Sequence, residues 1–262
     1  MNLRRLWSRA WVRRLAYFAA FGLIWQFVWS IKVFPSIIFP SVGLIAESLF
    51  REMADGSLLS KTGYSLYLIG LGMAISAALT LLLTLAAMFF PTVKDLIRTL
   101  ISVLDPLPGI ALLPLAILWI GIGEGAILFV MVHSILWPML LNVITGFESV
   151  PPIYMDVGRL IGLNRLKMVT GVLMPASLPS ILTGVKTGWA RAWRALISAE
   201  MVFGATGVIG GLGWDIYIKR SYLDMPGMFA SLIVIMVVGI LVEDLFFRKL
   251  ENITVRRWGM MR

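Results

Sequence analysis

The sequence has no cysteine and a single histidine, His133, in 262 residues. Without cysteine there is no disulfide framework, no thiolate metal site and no cysteine nucleophile. One histidine cannot assemble a metal centre alone. Set within an apolar segment, His133 reads as a hydrogen-bonded residue of a helix bundle. Charge is scarce too: Asp, Glu, Lys and Arg make up 14% of the chain. No Gly-Lys dipeptide occurs, so a G-x-x-x-x-G-K-[ST] phosphate loop is excluded. Gly210-Gly211-Leu212-Gly213 does not follow G-x-G-x-x-G spacing and reads as a flexible turn. No Ser/His/Asp set stands in a strand–turn context, and no nucleophile or metal cluster supports a membrane-embedded enzyme. Catalytic, cofactor-binding and metal-binding residues are therefore expected to be none on this chain.

What is abundant is apolar. Hydrophobic residues make up 59% of the chain, and the mean hydropathy is +0.90. That lies outside the soluble globular range. Several apolar runs approach or exceed the ~20 residues that carry a helix across a bilayer. The expected fold class is all-α integral membrane, with about six transmembrane helices. The net charge of +9 would suit nucleic acid. However, the lysines and arginines sit at the ends of apolar runs and form no binding stripe, as the positive-inside pattern requires. The expected surroundings are membrane lipid, with no nucleic acid.

Arg4, Arg5, Arg9, Arg13 and Arg14 interleave with Leu3, Trp7, Ala10 and Trp11. Residues 1–14 thus read as a cytoplasmic amphipathic segment on an anionic membrane surface. Residues 15–262 read as a single transmembrane domain. The run 15–31 has no cleavage site after it and is a retained first span. Ser41 can cap a short amphipathic helix over 42–53. A second span covers 62–90, where Gly70, Ala74 and Ala78 make a small-xxx-small packing seam. Residues 91–98 read as a short turn. A third span, 100–120, is broken by Pro106, Pro108, Gly109 and Pro114. Prolines free backbone carbonyls that neighbouring helices or a water-filled cavity must satisfy. This segment is either a pathway-lining kinked helix or a simple packing kink. Further spans cover 126–144, 177–203 and 228–247, with a loop over 204–226. Most of the 23 Lys and Arg fall in 1–14, 91–98, 156–175 and 248–262. That asymmetry places both termini, and the polar stretch near Asp156, in the cytoplasm.

The fifth span carries charge, which in a membrane is costly and points to function. Thr187, Arg191, Arg194 and Ser198 follow spacings of four, three and four, so they share one helix face. Facing a cavity, that basic stripe favours anions. Alternatively, each arginine pairs with an acid or with backbone carbonyls and holds the bundle together. Glu200 lies off this face, which disfavours a pair within this helix and leaves pairing across helices open. Lys186 lies near the inner end and snorkels. Thr187, Arg191, Arg194, Ser198, Glu200, Pro106 and Pro108 are the candidate pathway residues.

The polar stretch over 146–176 contains Asp156-Val157-Gly158-Arg159, then Gly162, Arg165, Lys167 and Val172-Leu173-Met174-Pro175. Residues 152–163 suit a short helix: prolines fit its first turn and Asp156 sits early, where a helix N-terminus favours negative charge. Gly162 and Asn164 suit its C-terminal end. A short helix at the end of a membrane bundle can dock in a groove of another protein; the alternative is an ordinary loop with a helical turn. The stretch resembles the EAA loop of ATP-binding-cassette importer permeases: an acid, two small residues, a glycine four positions on, and an aliphatic-x-aliphatic-Pro close. Asp156 stands for the usual Glu, Val157 and Gly158 for alanines, Val172 for Ile and Met174 for Leu. Residues 104–124, LDPLPGIALLPLAILWIGIGE, resemble the corresponding segment of the nitrate/sulfonate/taurine branch. So do Trp189-Ala190-Arg191-Ala192-Trp193, Ser198-Ala199-Glu200-Met201 and the closing ENITVRRWGM.

That resemblance covers about 35–258 and implies a type I ABC importer permease. It implies a homodimer with a second copy of this chain, and two cytoplasmic ABC ATPase subunits that bind ATP and Mg. It also implies a periplasmic or lipid-tethered solute-binding protein and a place in the bacterial inner membrane. Asp156, Val157, Gly158, Arg159, Gly162 and Pro175 would couple the permease to the ATPase. The solute would be a small anion of the nitrate, sulfonate, taurine or organic-acid type. The competing class is a stand-alone secondary anion transporter, which broken helices and intramembrane arginines also fit. Against it, the spans show no evident internal repeat and no acid relay.

Overall fold

The computed structural model describes residues 10–203 and 210–256. The first part of the expected amphipathic segment (1–9), the start of the expected 204–226 loop (204–209) and the tail (257–262) lie outside them. All described regular structure is helical: α1 Ala10–Ser30, α2 Val42–Ala54, α3 Ser57–Phe89, α4 Pro91–Leu104, α5 Leu113–Ile120, α6 Glu124–Glu148, α7 Pro152–Leu160, α8 Arg165–Met168, α9 Leu178–Phe203, α10 Leu212–Ser221 and α11 Met225–Leu241. A tight turn, Gly109–Leu112, precedes α5, and α11 continues with little interruption to Arg256. Three helices are long and apolar enough to cross a membrane: α3, α6 and Met225–Thr254. Two bent pairs raise the number to five if each pair is one span. At a rise of ~1.5 Å per residue α1 is also long enough, but its arginines, Gln26 and tryptophans make it less apolar.

Several expectations change here. Residues 91–98 are not a turn but the first half of α4, because Pro91 at the first helical position is preorganised for a helix. The third span is not merely kinked: Pro91–Leu104 and Gly109–Ile120 meet at 92°. Pro106 and Pro108 lie between the two helices, where no helical hydrogen bond is needed. Likewise Arg165–Ala176 and Leu178–Val202 meet at 75°, with Pro175 and Pro179 flanking the bend. The described part of the 204–226 loop contains a helix, α10. Gly70, Ala74 and Ala78 do not make the seam of α3, since all three are exposed. The buried stripe is Gly72, Ser76, Thr80 and Thr84, at the same spacing of four; a side chain at Gly72 would meet Met131 and Ile135.

The chain forms two compact units. One comprises the chain up to Leu59 together with Asp215–Val234. In it Ser41 caps α2 as expected, its Oγ accepting the Leu44 N–H at 3.2 Å. Trp25 of α1 stacks on Phe39 at 4.1 Å, meets Phe229 edge-on at 5.1 Å, and donates its indole N–H to the Pro40 carbonyl at 2.9 Å. The same unit holds a buried charge cluster. The Lys219 ammonium donates to Glu52, to Asp215 Oδ2 at 2.7 Å and to Ser231 Oγ at 2.9 Å. The Ser231 hydroxyl donates to Asp215 at 2.5 Å, and the Ser48 hydroxyl to Glu52 at 3.0 Å.

The other unit, Ser60–Trp214 with Ile235 onward, is centred on α6 and α9. Their axes approach closely because a Cβ at Gly188 would lie 2.9 Å from Ile135, and one at Gly184 3.0 Å from Asn142. Leu140 and Ile144 of α6 pack with Ala87, Ile97 and Ile101. Val143 and Phe147, one step round the same helix, pack with Val150, Val169 and Leu173. Fully burying an aliphatic side chain of this size contributes ~1.5–3 kcal/mol relative to water. The turn at 92° and the α6–α9 seam together place the candidate site.

Candidate functional site: a basic cavity and an exposed short helix

A cavity of about 460 Å³ opens between the 92° break, α6 and α9. Pro106 and Pro108 supply one wall, His133 and Ser134 another, and Arg191, Arg194 and Ser198 a third. The four–three–four spacing thus does bring Arg191, Arg194 and Ser198 to one face. Thr187 and Glu200 do not line this cavity. The Arg191 guanidinium donates to Asp105 Oδ1 at 2.6 Å and to Oδ2 at 3.5 Å. Arg194, one turn on, is exposed and has no ion pair among the described residues. Two arginines and one aspartate leave the cavity with one cation in excess.

Asp105 escaped the sequence reading, although it stands in an apolar run directly before Pro106. An acid in such a run should itself have drawn notice. His133 departs from expectation as well: neither ring nitrogen has a hydrogen-bond partner among the described residues. Its ring sits edge-on to Trp137 at 6.1 Å. Both ring nitrogens are buried although His133 belongs to the cavity lining.

Glu200 is buried and held from two sides. The Gly213 N–H donates to it at 2.8 Å, and the Ser65 hydroxyl donates at 3.3 Å to either oxygen. The Leu212 N–H in turn donates to Ser65 Oγ at 3.0 Å. Gly211 and Gly213 are therefore not a flexible turn. A side chain at either would run into Glu200, at 2.8 Å from its Cβ in the case of Gly213. Lys186 reaches Glu243 at 3.5 Å while staying two-fifths exposed.

The second candidate site is α7 and the turn that ends it. Helix α7 stops at Leu160 rather than 163 because Gly162 takes φ +78°, a conformation that suits glycine. The Gly162 N–H donates to the Arg159 carbonyl at 3.0 Å and the Leu163 N–H to the Gly158 carbonyl at 2.9 Å. These two bonds, with Leu163 against Gly158, make a Schellman stop. Asn164 belongs to the next element: its side chain accepts the Lys167 N–H at 2.8 Å and caps α8. Gly158 is pressed on Met168, where a Cβ would meet the thioether at 2.7 Å. Asp156 and Arg159 pair at 3.4 Å with both side chains well exposed. Ile153, Tyr154, Val157, Leu160 and Ile161 are all exposed apolar residues. Pro175 stands apart from α7, at the 75° bend.

Comparison with known proteins gives this arrangement a class. Residues 83–253 match the family described as binding-protein-dependent transport system inner membrane component. A putative ABC transporter permease of Methanocaldococcus jannaschii is 30% identical over 234 residues, covering 88% of this chain and 86% of the relative. A putative aliphatic sulfonates transport permease of Bacillus subtilis is 27% identical, covering 92% and 86%. The taurine transport system permease of Escherichia coli is 25% identical, covering 84% and 80%. The chain belongs to the family of binding-protein-dependent transport system inner membrane components. It is an ABC permease subunit of the inner membrane, which displaces the stand-alone secondary transporter.

Proposed function

We propose that this permease conducts a small anion through the Arg191–Arg194 cavity and takes its energy from an ATPase docked on α7. The observation that carries the reading is Arg194, a guanidinium without an ion pair among the described residues on the wall of a cavity at a helix break. The relatives named for sulfonates, taurine and nitrate support an oxyanion as cargo. A charge-assisted hydrogen bond contributes ~1.5–3 kcal/mol. Arg194→Ala should then lower uptake of the cargo anion by about ten- to a hundredfold, with assembly intact. Unchanged nitrate, taurine and alkanesulfonate uptake in that variant would return Arg194 to a structural role.

The exposed apolar face of α7 supports docking in an ATPase groove, in the manner of an EAA loop, with Asp156, Arg159 and the Gly162 stop fixing its ends. Two such permeases, two ATPases carrying ATP and Mg, and a solute-binding protein would complete the importer, with both termini in the cytoplasm. ATP closure of the ATPase pair would move α7, and the bundle would open its cavity to the loaded binding protein. At φ +78° a β-branched residue costs ~1–2 kcal/mol. Gly162→Val should therefore disturb the end of α7 and strip the ATPase during co-purification while membrane insertion stays normal. Full ATPase retention by Gly162→Val would break the docking reading.

A further inference from the structure

The Asp105–Arg191 pair can be read in two ways: as a brace or as an occupied anion site. Three observations favour the second. First, Asp105 follows the last residue of α4, its own N–H bonded to the Ile101 carbonyl. A carboxylate there faces the negative end of its helix, so its local surroundings disfavour the charge. What holds it is Arg191. Second, the pair is not sealed: the Arg191 side chain is 34% exposed and Asp105 23%, both on the cavity wall. A brace that served stability alone would be buried and saturated. Third, Arg194 lies one helical turn away on the same wall with no ion pair among the described residues, and the ring nitrogens of His133 have no partner. An anion entering the cavity thus meets one free guanidinium and one guanidinium already holding a carboxylate.

We propose that Asp105 is the resident counter-anion of this cavity: it occupies Arg191 when the cavity is empty, is exchanged for a small oxyanion, and restricts the cavity to monoanions. The proposal rests on the anion-pathway reading above and assigns Asp105 as its specificity-determining residue. Exchange keeps the charge count at Arg191 constant, so cargo is gained and lost without leaving a bare guanidinium in an apolar wall. Cargo stays weakly held, as passage demands. With Asp105 present the cavity carries one excess positive charge, which a monoanion neutralises and a dianion overfills. The carboxylate also sits at the 92° break, so its release from Arg191 frees the residue that joins the two helices.

The test uses the complex purified with its partner subunits and an arginine-selective reagent, phenylglyoxal, with labelled sites mapped by mass spectrometry. Methanesulfonate and sulfate serve as probe anions, so that the binding protein's own selectivity does not enter. In the native complex Arg194 should label and Arg191 should be spared. Methanesulfonate should protect Arg194, and sulfate should protect no better. In Asp105→Asn, Arg191 should become labelled. The half-protecting methanesulfonate concentration should fall by about fivefold, the scale of a partly exposed ion pair. Sulfate should gain more than methanesulfonate, because the cavity then carries two excess charges. An assembled Asp105→Asn complex with unchanged protection by both anions overturns the role of Asp105. Should Asp105→Asn fail to assemble, Arg191→Gln carries the test. The freed Asp105 then competes at Arg194, and the half-protecting methanesulfonate concentration rises by about fivefold; no rise overturns the proposal. If neither anion protects Arg194 in any form, native included, the anion-pathway reading falls with it.

Discussion

Two charge clusters stand among the apolar helices of this chain, and they are built in opposite ways. Around Lys219 every partner is in place: two carboxylates, a hydroxyl and the Gly227 carbonyl surround one ammonium, and Glu52, Asp215, Lys219 and Ser231 are all buried. Around Arg191 there is a single carboxylate, paired with Arg191 alone, the group faces a cavity, and Arg194 and the His133 ring lack such partners among the described residues. Taking a charge out of water costs several kcal/mol per ion, offset only by close geometry and further hydrogen bonds. The Lys219 cluster meets that condition and serves the fold. The Arg191 cavity leaves donors unspent, which a fold does not need and a passing anion does. A polar group in an apolar chain is thus sorted by whether its hydrogen bonds are complete.

The largest expected effect is at the closed cluster. Lys219→Met would leave Glu52 and Asp215 buried together without their cation. Breaking a buried pair in this way costs about 3–5 kcal/mol. The variant should melt well below the native protein in detergent and accumulate poorly. Adding Glu52→Gln should restore part of the loss, because one uncompensated charge is then gone. A Lys219→Met protein with a native melting temperature would break the comparison at its firmer end.

A smaller loss is expected at Glu200, the other saturated acid. Gly213→Val would force a side chain against the Glu200 Cβ, 2.8 Å from the position its own Cβ would take, and against the Ile197 carbonyl. Overpacking of this kind costs about 1–3 kcal/mol. It would also pull the Gly213 N–H off the carboxylate. Thermal unfolding should show the loss, and Gly213→Ala a lesser one. If the valine is tolerated without any shift, the Gly213 contact is looser than the 2.8 Å hydrogen bond states.

How much of this was legible beforehand depends on range. Local signals held: the Ser41 cap, the first-turn prolines of α7, the prolines at the 92° break and the shared face of Arg191, Arg194 and Ser198 all depend on neighbours within a few residues. The helix stop at Gly162 was also within reach, though Asn164 proved to open the next helix. What failed was partner choice over long range. Asp105 lies 86 residues before Arg191, Lys219 lies 167 after Glu52, and Ser65 lies 135 before Glu200. No periodicity encodes such pairs. The small-residue seam failed for a related reason. Gly70/Ala74/Ala78 and Gly72/Ser76/Thr80/Thr84 share one spacing, and only the neighbouring helices decide which stripe is buried. The glycines at 211 and 213 read as flexibility because the sequence does not show what lies against them.

The smallest expected effect sharpens the comparison most. Arg194 is exposed, and no ion pair or hydrogen bond among the described residues depends on it. Arg194→Gln should therefore change stability by no more than ~0.5 kcal/mol, the range of surface substitutions. Thermal unfolding of the variant in detergent should overlay the native curve, while uptake of the cargo anion falls. The glutamine keeps most of the stem and a donor, so lost packing does not enter and only charge is removed. A melting shift as large as that of Lys219→Met would mean that Arg194 is bound into the bundle after all. The contrast between a closed cluster that holds the fold and an open one that serves cargo would then disappear.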